Sequence, residues 1–224
     1  MSLLTGLIEA SDLQALWVTL ALAGLTTLLL IVLGTPLAWW LARSGSRWRA
    51  PVEAIVALPL VLPPTVLGFY LLLAMGPHGP LAPLSLAFTF AGLVVGSMVY
   101  SLPFVVQPLR DAFASVSRQS LESAACLGAS PFQRFYRVVL PLAAPGYLTG
   151  SVLGFAHTLG EFGVVLMIGG NIPGETRVVS IAVYEHVEAL DYGRAHGLSA
   201  VLLVLSFVML LLVYAQRIKR HSAA

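Results

Sequence analysis

Five long stretches of this chain, residues 16–41, 52–75, 84–109, 143–168 and 198–214, are almost free of charge. The exceptions are Glu53, at the mouth of the second, and Glu161, deep in the fourth. About 20 mostly apolar residues in helical form cross the hydrocarbon of a bilayer. Each stretch therefore predicts a membrane-spanning helix, and the fold class is all-α and polytopic, with five spans in a single transmembrane domain over residues 1–224. Composition closes off the soluble alternative. Only 10% of the 224 residues are charged, against about 25% in a soluble domain, too few to clothe a water-facing surface. The missing polar surface faces lipid.

Basic residues set the orientation. Arg43, Arg47 and Arg49 follow the first span, and Arg110, Arg118, Arg134 and Arg137 lie between the third and fourth. Arg217, Lys219 and Arg220 follow the fifth. Five crossings put all of these on one side and leave Arg177 and Arg194 on the other, among Glu9, Asp12, Glu175, Glu185, Glu188 and Asp191. Basic loops stay in the cytoplasm. The expected N-terminus is outside and the C-terminus cytoplasmic. The net charge of +2 is then this inside bias rather than a nucleic-acid interface. The single cysteine, Cys126, rules out an internal disulfide and a cysteine-cluster metal site, and nothing points to a cofactor. No basic n-region precedes the first apolar run, so that run is expected to be retained as a span.

Two connections are too long to be turns. The outer one, 169–197, opens on Gly169-Gly170-Asn171-Ile172-Pro173-Gly174 and is expected to carry a short surface helix near 181–190. The cytoplasmic one, 111–141, predicts helix, sharp turn, helix. Ser120 is a candidate cap for a short helix through Ala125, and Gly128 with Ser130-Pro131 permits the reversal. Phe132, Phe135 and Tyr136 form an apolar face against Arg134 and Arg137. A compact helix pair of this kind suits a partner's groove, although an amphipathic helix lying on the membrane would share the pattern.

The spacing of Glu122, Ala124, Gly128, Val138, Leu140 and Pro141 resembles the coupling loop of ABC importer permeases, in which Glu-Ala-Ala is followed by glycine and then by hydrophobic-x-Leu-Pro. Ser123 departs from the first alanine and Val138 from the usual isoleucine. The resemblance implies the type I importer permease fold and a loop that docks on a separate ATPase subunit through Glu122, Ala124, Ala125, Gly128 and Pro141. It narrows further. Leu58-Pro59-Leu60-Val61-Leu62-Pro63-Pro64-Thr65-Val66-Leu67-Gly68 is similar to the second-helix motif of molybdate permeases. Leu159-Gly160-Glu161-Phe162-Gly163 is similar to a segment of molybdate and sulfate permeases, and residues 171–177 to the molybdate branch. The implied activity is import of molybdate or tungstate. The implied partners are an oxyanion-binding protein outside and a second copy of the chain, around a pathway on their two-fold axis.

The same segments have a reading in elementary chemistry. Pro59, Pro63 and Pro64 remove backbone donors and break the second span. Carbonyls freed at membrane depth are tolerated only against protein or water, so these prolines and Thr65 are expected to border the pathway unless the kink serves packing alone. Burying Glu161 ionised costs roughly 3 kcal/mol on insertion scales, so it must face a partner, water or another helix. His157, four residues earlier, would share its helix face. The pair is a candidate gate or a structural polar contact. No basic residue lies within a span, so a permanent anion site is not expected. No G-x-x-x-x-G-K-[ST] loop exists to bind ATP, so the chain is not expected to be an enzyme and energy enters from another subunit. An ATP-independent transporter would want more intramembrane ionisable groups. An intramembrane hydrolase built on Ser151, His157 and Glu161 lacks oxyanion donors.

Overall fold

The computed structural model describes the backbone of residues 9–221 and the side chains of residues 9–211. The side chains of Arg217, Lys219 and Arg220, and the end of the fifth expected span, lie outside the described ones. Ten α-helices follow one another: α1 (Ala10–Arg43), α2 (Arg49–Ala57), α3 (Pro64–Met75), α4 (Phe90–Ser115), α5 (Arg118–Cys126), α6 (Pro131–Arg134), α7 (Leu140–Leu159), α8 (Gly163–Gly169), α9 (Val179–Glu188) and α10 (Tyr192–His221). No strand occurs among the described residues.

Four helices are long and apolar enough to cross a membrane: α1, α4, the continuous run Pro131–Leu159 and α10. The second expected span is not one rod but a bent pair. Helix α2, continued by a 3₁₀ turn to Leu60, meets α3 at a bend of 111°. The cause is local: a residue before proline is pushed out of the helical region, and Pro63 before Pro64 is extended at φ −56°, ψ 135°. Pro64 then opens α3, where a missing N–H costs nothing.

Several boundaries differ from expectation: α1 and α10 each start six residues early, at Ala10 and Tyr192, and the third and fourth spans differ for clear local reasons. The third span begins at Phe90, because residues 85–89 turn outside the helix and Phe88 donates its N–H to the Ile168 carbonyl at 2.9 Å. The fourth is broken: α7 stops at Leu159 and the chain resumes as α8 at Gly163. Its inner end runs back without interruption through a π-helical turn, Phe135–Val139, to Pro131. Pro141 accounts for that wider turn, since it offers no N–H to the Arg137 carbonyl and its ring crowds it.

Helices α1, α4 and α7 form the centre. At the end where α1 finishes, Leu30, Ala38, Leu41, Val105, Leu109 and Phe113 are buried together. Close approach of α7 to α4 depends on small residues: a methyl at Gly150 would meet the Val105 carbonyl at 3.2 Å. At the opposite end Val18, Leu22, Leu93, Val165 and Ile181 form a second cluster. Leu28, Val32, Leu33, Leu203 and Phe207 stay more than half exposed. In water such a surface would aggregate; in a bilayer it is the lipid face.

Outer-loop helix α9 starts two residues earlier than expected and ends where Leu190 takes a left-handed φ of 59°. The Thr19 hydroxyl, bonded to the Ala15 carbonyl, accepts the Val179 N–H at 2.8 Å and fixes α9 to α1. Asp12 is almost fully buried and joins three elements: His186 of α9 lies at 2.9 Å and Arg194 of α10 at 3.0 Å. Arg194 also pairs with Glu9 at 2.7 Å, and Arg177 pairs with Glu185 at 3.2 Å. The two arginines set apart from the basic loops, Arg177 and Arg194, are therefore already paired within the chain.

Candidate functional site

Two places gather the residues singled out from sequence: a helical reversal at the basic end and a cavity at the break in the fourth span.

The reversal is built by caps. Val116 ends α4 in an extended conformation. Ser117, not Ser120, then caps α5, its hydroxyl oxygen accepting the Ser120 N–H at 3.1 Å. The far end of α5 closes on Gly128 at φ +81°. There the Gly128 N–H donates to the Ala125 carbonyl and the Ala129 N–H to the Ala124 carbonyl, the paired bonds of a glycine-terminated helix. Ser130 and Gln133 then exchange side-chain and backbone bonds in a capping box that starts α6. These caps hold the shape of the corner with bonds made inside the chain.

Leu121 and Ala124 lie partly buried, while Glu122, Ala125, Cys126 and Gly128 are exposed. Glu122 pairs with no basic side chain among the described residues. The aromatic face expected on the second limb divides. Phe135 turns inward, edge-on to Trp39 at 5.5 Å, whereas Phe132 and Tyr136 stack on each other at 5.9 Å and remain exposed. Leu127 at the tip is 89% exposed. An apolar tip beside an unpaired carboxylate is a surface shaped for a protein partner. Pro141 sits exposed one turn below, at the start of α7.

The cavity, about 510 Å³, is lined by Pro64, Thr65, Tyr100, His157, Gly160, Glu161, Phe162 and Gly163. The two broken spans meet here, α8 lying against α3 so closely that a methyl at Gly163 would stand 2.8 Å from Pro64 Cβ. Pro59 is buried and Pro63 exposed, and neither lines the cavity.

His157 and Glu161 share the cavity but not a helix face, because the chain leaves the helix after Leu159. His157 Nδ1 lies 2.9 Å from the Ser101 hydroxyl, which also bonds Thr158 at 2.9 Å. Its ring stacks on Phe104 at 3.9 Å. Glu161 is 3% exposed, and neither carboxylate oxygen has a hydrogen-bond partner among the described residues. Its backbone carbonyl accepts the Ser180 hydroxyl at 2.6 Å, tying the break to α9. Ser151 is not joined to either residue; the serine at His157 is Ser101. Sequence reasoning missed Tyr100, Ser101 and Phe104, although Tyr100-Ser101 is a polar pair midway along an apolar span. Among the described residues no cluster of three or more His, Cys, Asp or Glu could hold a metal.

The family model of binding-protein-dependent transport system inner membrane components matches residues 34–221. The molybdenum transport system permease protein ModB of Azotobacter vinelandii is 57% identical over 213 residues, covering 92% of this chain and 94% of that one. A probable sulfate transport system permease protein of Zygnema circumcarinatum is 33% identical over 220 residues, covering 96% and 76%. Among solved structures, a bacterial ABC transporter involved in the import of the acidic polysaccharide alginate aligns with a TM-score of 0.72 at 20% identity, covering 96% of this chain and 80% of that one. That likeness concerns the fold alone. The chain belongs to the binding-protein-dependent transport system inner membrane components, the multi-pass permease subunits of ABC importers.

Proposed function

We propose that this chain is the permease subunit of an ATP-driven importer that carries molybdate, with tungstate as the near-isosteric alternative, across the bacterial inner membrane. The substrate class rests on 57% identity over 92% of the chain to a molybdenum transport permease. The mechanism rests on the reversal at α5–α6, which exposes Glu122, Leu127, Phe132 and Tyr136 and leaves Glu122 without an ion pair among the described residues.

Glu122, Ala124, Ala125, Gly128 and Pro141 form the docking element for a separate ATPase. The basic end is cytoplasmic, the N-terminus is outside and the C-terminus inside. Two copies meet across the bent second span, where Val61 is 83% exposed beside Leu58 and Leu60, so that the pathway lies on their two-fold axis. The ledge 169–197 meets a periplasmic or surface-anchored oxyanion-binding protein. With Arg177 and Arg194 paired internally, shape and exposed side chains such as Tyr184 and Leu190 carry that contact, not free positive charge.

Transport follows from these parts. ATP closes the ATPase pair, the docked α5 helices move with it, and the two permeases open outward; hydrolysis returns them inward. The cavity at Thr65, His157 and Glu161 borders the route. It offers hydroxyls, an imidazole and a carboxylate but no cation, so a dianion passes without being held. A conduit must release its cargo; capture belongs to the binding protein.

The test is labelled molybdate uptake by cells lacking this chain, complemented with wild type or Glu122→Ala, in the presence of excess sulfate or tungstate. Restoration by wild type alone, with tungstate competing and sulfate not, is expected. Competition by sulfate would move the substrate to that anion, and normal uptake by Glu122→Ala would remove Glu122 from the docking element.

A further inference from the structure

Arg43 ends α1 and counts, from sequence, as one more basic residue of the inner side. Its contacts give it a narrower task. A single terminal nitrogen, Nη2, donates to the Phe113 carbonyl at 2.9 Å and to the Val116 carbonyl at 2.7 Å. Both acceptors belong to the last turn of α4 and its cap, where a helix leaves carbonyls without internal partners. Val116 is the single residue between the end of α4 at Ser115 and Ser117, the cap of α5. Arg43 therefore grips the joint from which the docking helix projects.

The guanidinium also lies over the Trp39 ring, 5.2 Å from its centroid. Trp39 in turn meets Phe113 edge-on at 5.3 Å and Phe135 edge-on at 5.5 Å. Phe135 opens the π-helical turn that joins α6 to α7. One arginine and one tryptophan, a turn apart on α1, thus contact both limbs of the reversal: the α5 limb through Val116 and the α7 limb through Phe135. Otherwise the first limb is held by Leu121, packed on the same core cluster, and the second is continuous with α7, so these contacts tie both limbs to α1.

We propose that Arg43 is a positioning residue for energy coupling: it clamps the α4–α5 joint to α1, so that a displacement of the docking face moves α1, α4 and α7 as one body. The proposal rests on the reading of α5 as the ATPase-docking helix. Arginine suits the task because one terminal nitrogen can donate two bonds while the guanidinium lies within cation–π range of an indole. Lysine could reach the carbonyls but would stack less well.

The experiment uses the whole complex in proteoliposomes, permease with its ATPase and molybdate-loaded binding protein, and compares wild type, Arg43→Lys and Arg43→Gln. The readouts are molybdate accumulated per ATP hydrolysed and amide hydrogen exchange of residues 116–130 in the permease without its ATPase. For Arg43→Gln the ratio is expected to fall about tenfold, the scale of lost charge-assisted hydrogen bonds, and exchange over 116–130 to quicken at least severalfold. Arg43→Lys should recover part of both. An unchanged ratio with unchanged exchange overturns the proposal. So does failure of both variants to assemble, which would make Arg43 an anchor of the fold alone. A wild-type complex that accumulates nothing on ATP would instead remove the transport reading, while faster exchange in Arg43→Gln would still establish the clamp.

Discussion

Single atoms decide much at the break in the fourth span. Gly163 lets α8 begin directly on Pro64, the first residue of α3, and a methyl group there would face a rigid proline ring at 2.8 Å. Gly163→Ala is expected to cost about 1–3 kcal/mol, the usual penalty of overpacking, and to lower the thermal midpoint of the detergent-purified protein. An unchanged midpoint would mean that the two helix ends part easily. At this scale the sequence was only partly legible. The charge of Glu161 marked an unusual point in an apolar run, but the helix was expected to pass through it. That placed His157 one turn away on the same face, whereas the chain turns at Gly160 and His157 bonds Ser101 instead. Helical spacing gives a side-chain neighbour only if the helix persists, and no proline or turn cluster announced that it does not.

Among elements, local chemistry was the legible part. Consecutive prolines at 63 and 64 signalled the bend in the second span, and Gly128 with Ser130-Pro131 signalled the reversal. Ties between distant segments were not legible, because no local pattern reports a partner more than a hundred residues away. The Asp12 cluster shows this best. It joins the start of α1 to α9 and α10 through His186 and Arg194, and from sequence these were separate charges on the outer side. Truncating one member of a buried ionic cluster leaves the others unpaired, at about 3 kcal/mol or more. Asp12→Ala is therefore expected to lower the thermal midpoint and to expose the 170–192 ledge to protease, while Asp12→Asn, which keeps an acceptor oxygen for His186, should do less. Equal protease resistance in all three proteins would show that α9 is held by apolar contacts alone.

For the whole molecule, five apolar runs were enough to give the class, with four rod-like spans and one bent pair in the structure, and a one-sided distribution of arginines gives the expected sidedness. The chain carries its own reporter for that sidedness, since Cys126 is its single cysteine and is exposed on α5. A membrane-impermeant maleimide is expected to label Cys126 in inverted vesicles and not in right-side-out spheroplasts, with less labelling once the ATPase is bound. Labelling from outside would invert the topology. The central claim is that this permease converts ATP hydrolysis on a partner into net movement of an oxyanion, and its most direct test is accumulation of labelled molybdate in proteoliposomes holding the permease, its ATPase and the loaded binding protein. Accumulation that needs ATP and disappears in Glu122→Ala is the predicted result; equal accumulation without ATP would contradict the account and make the chain a passive or ion-coupled carrier.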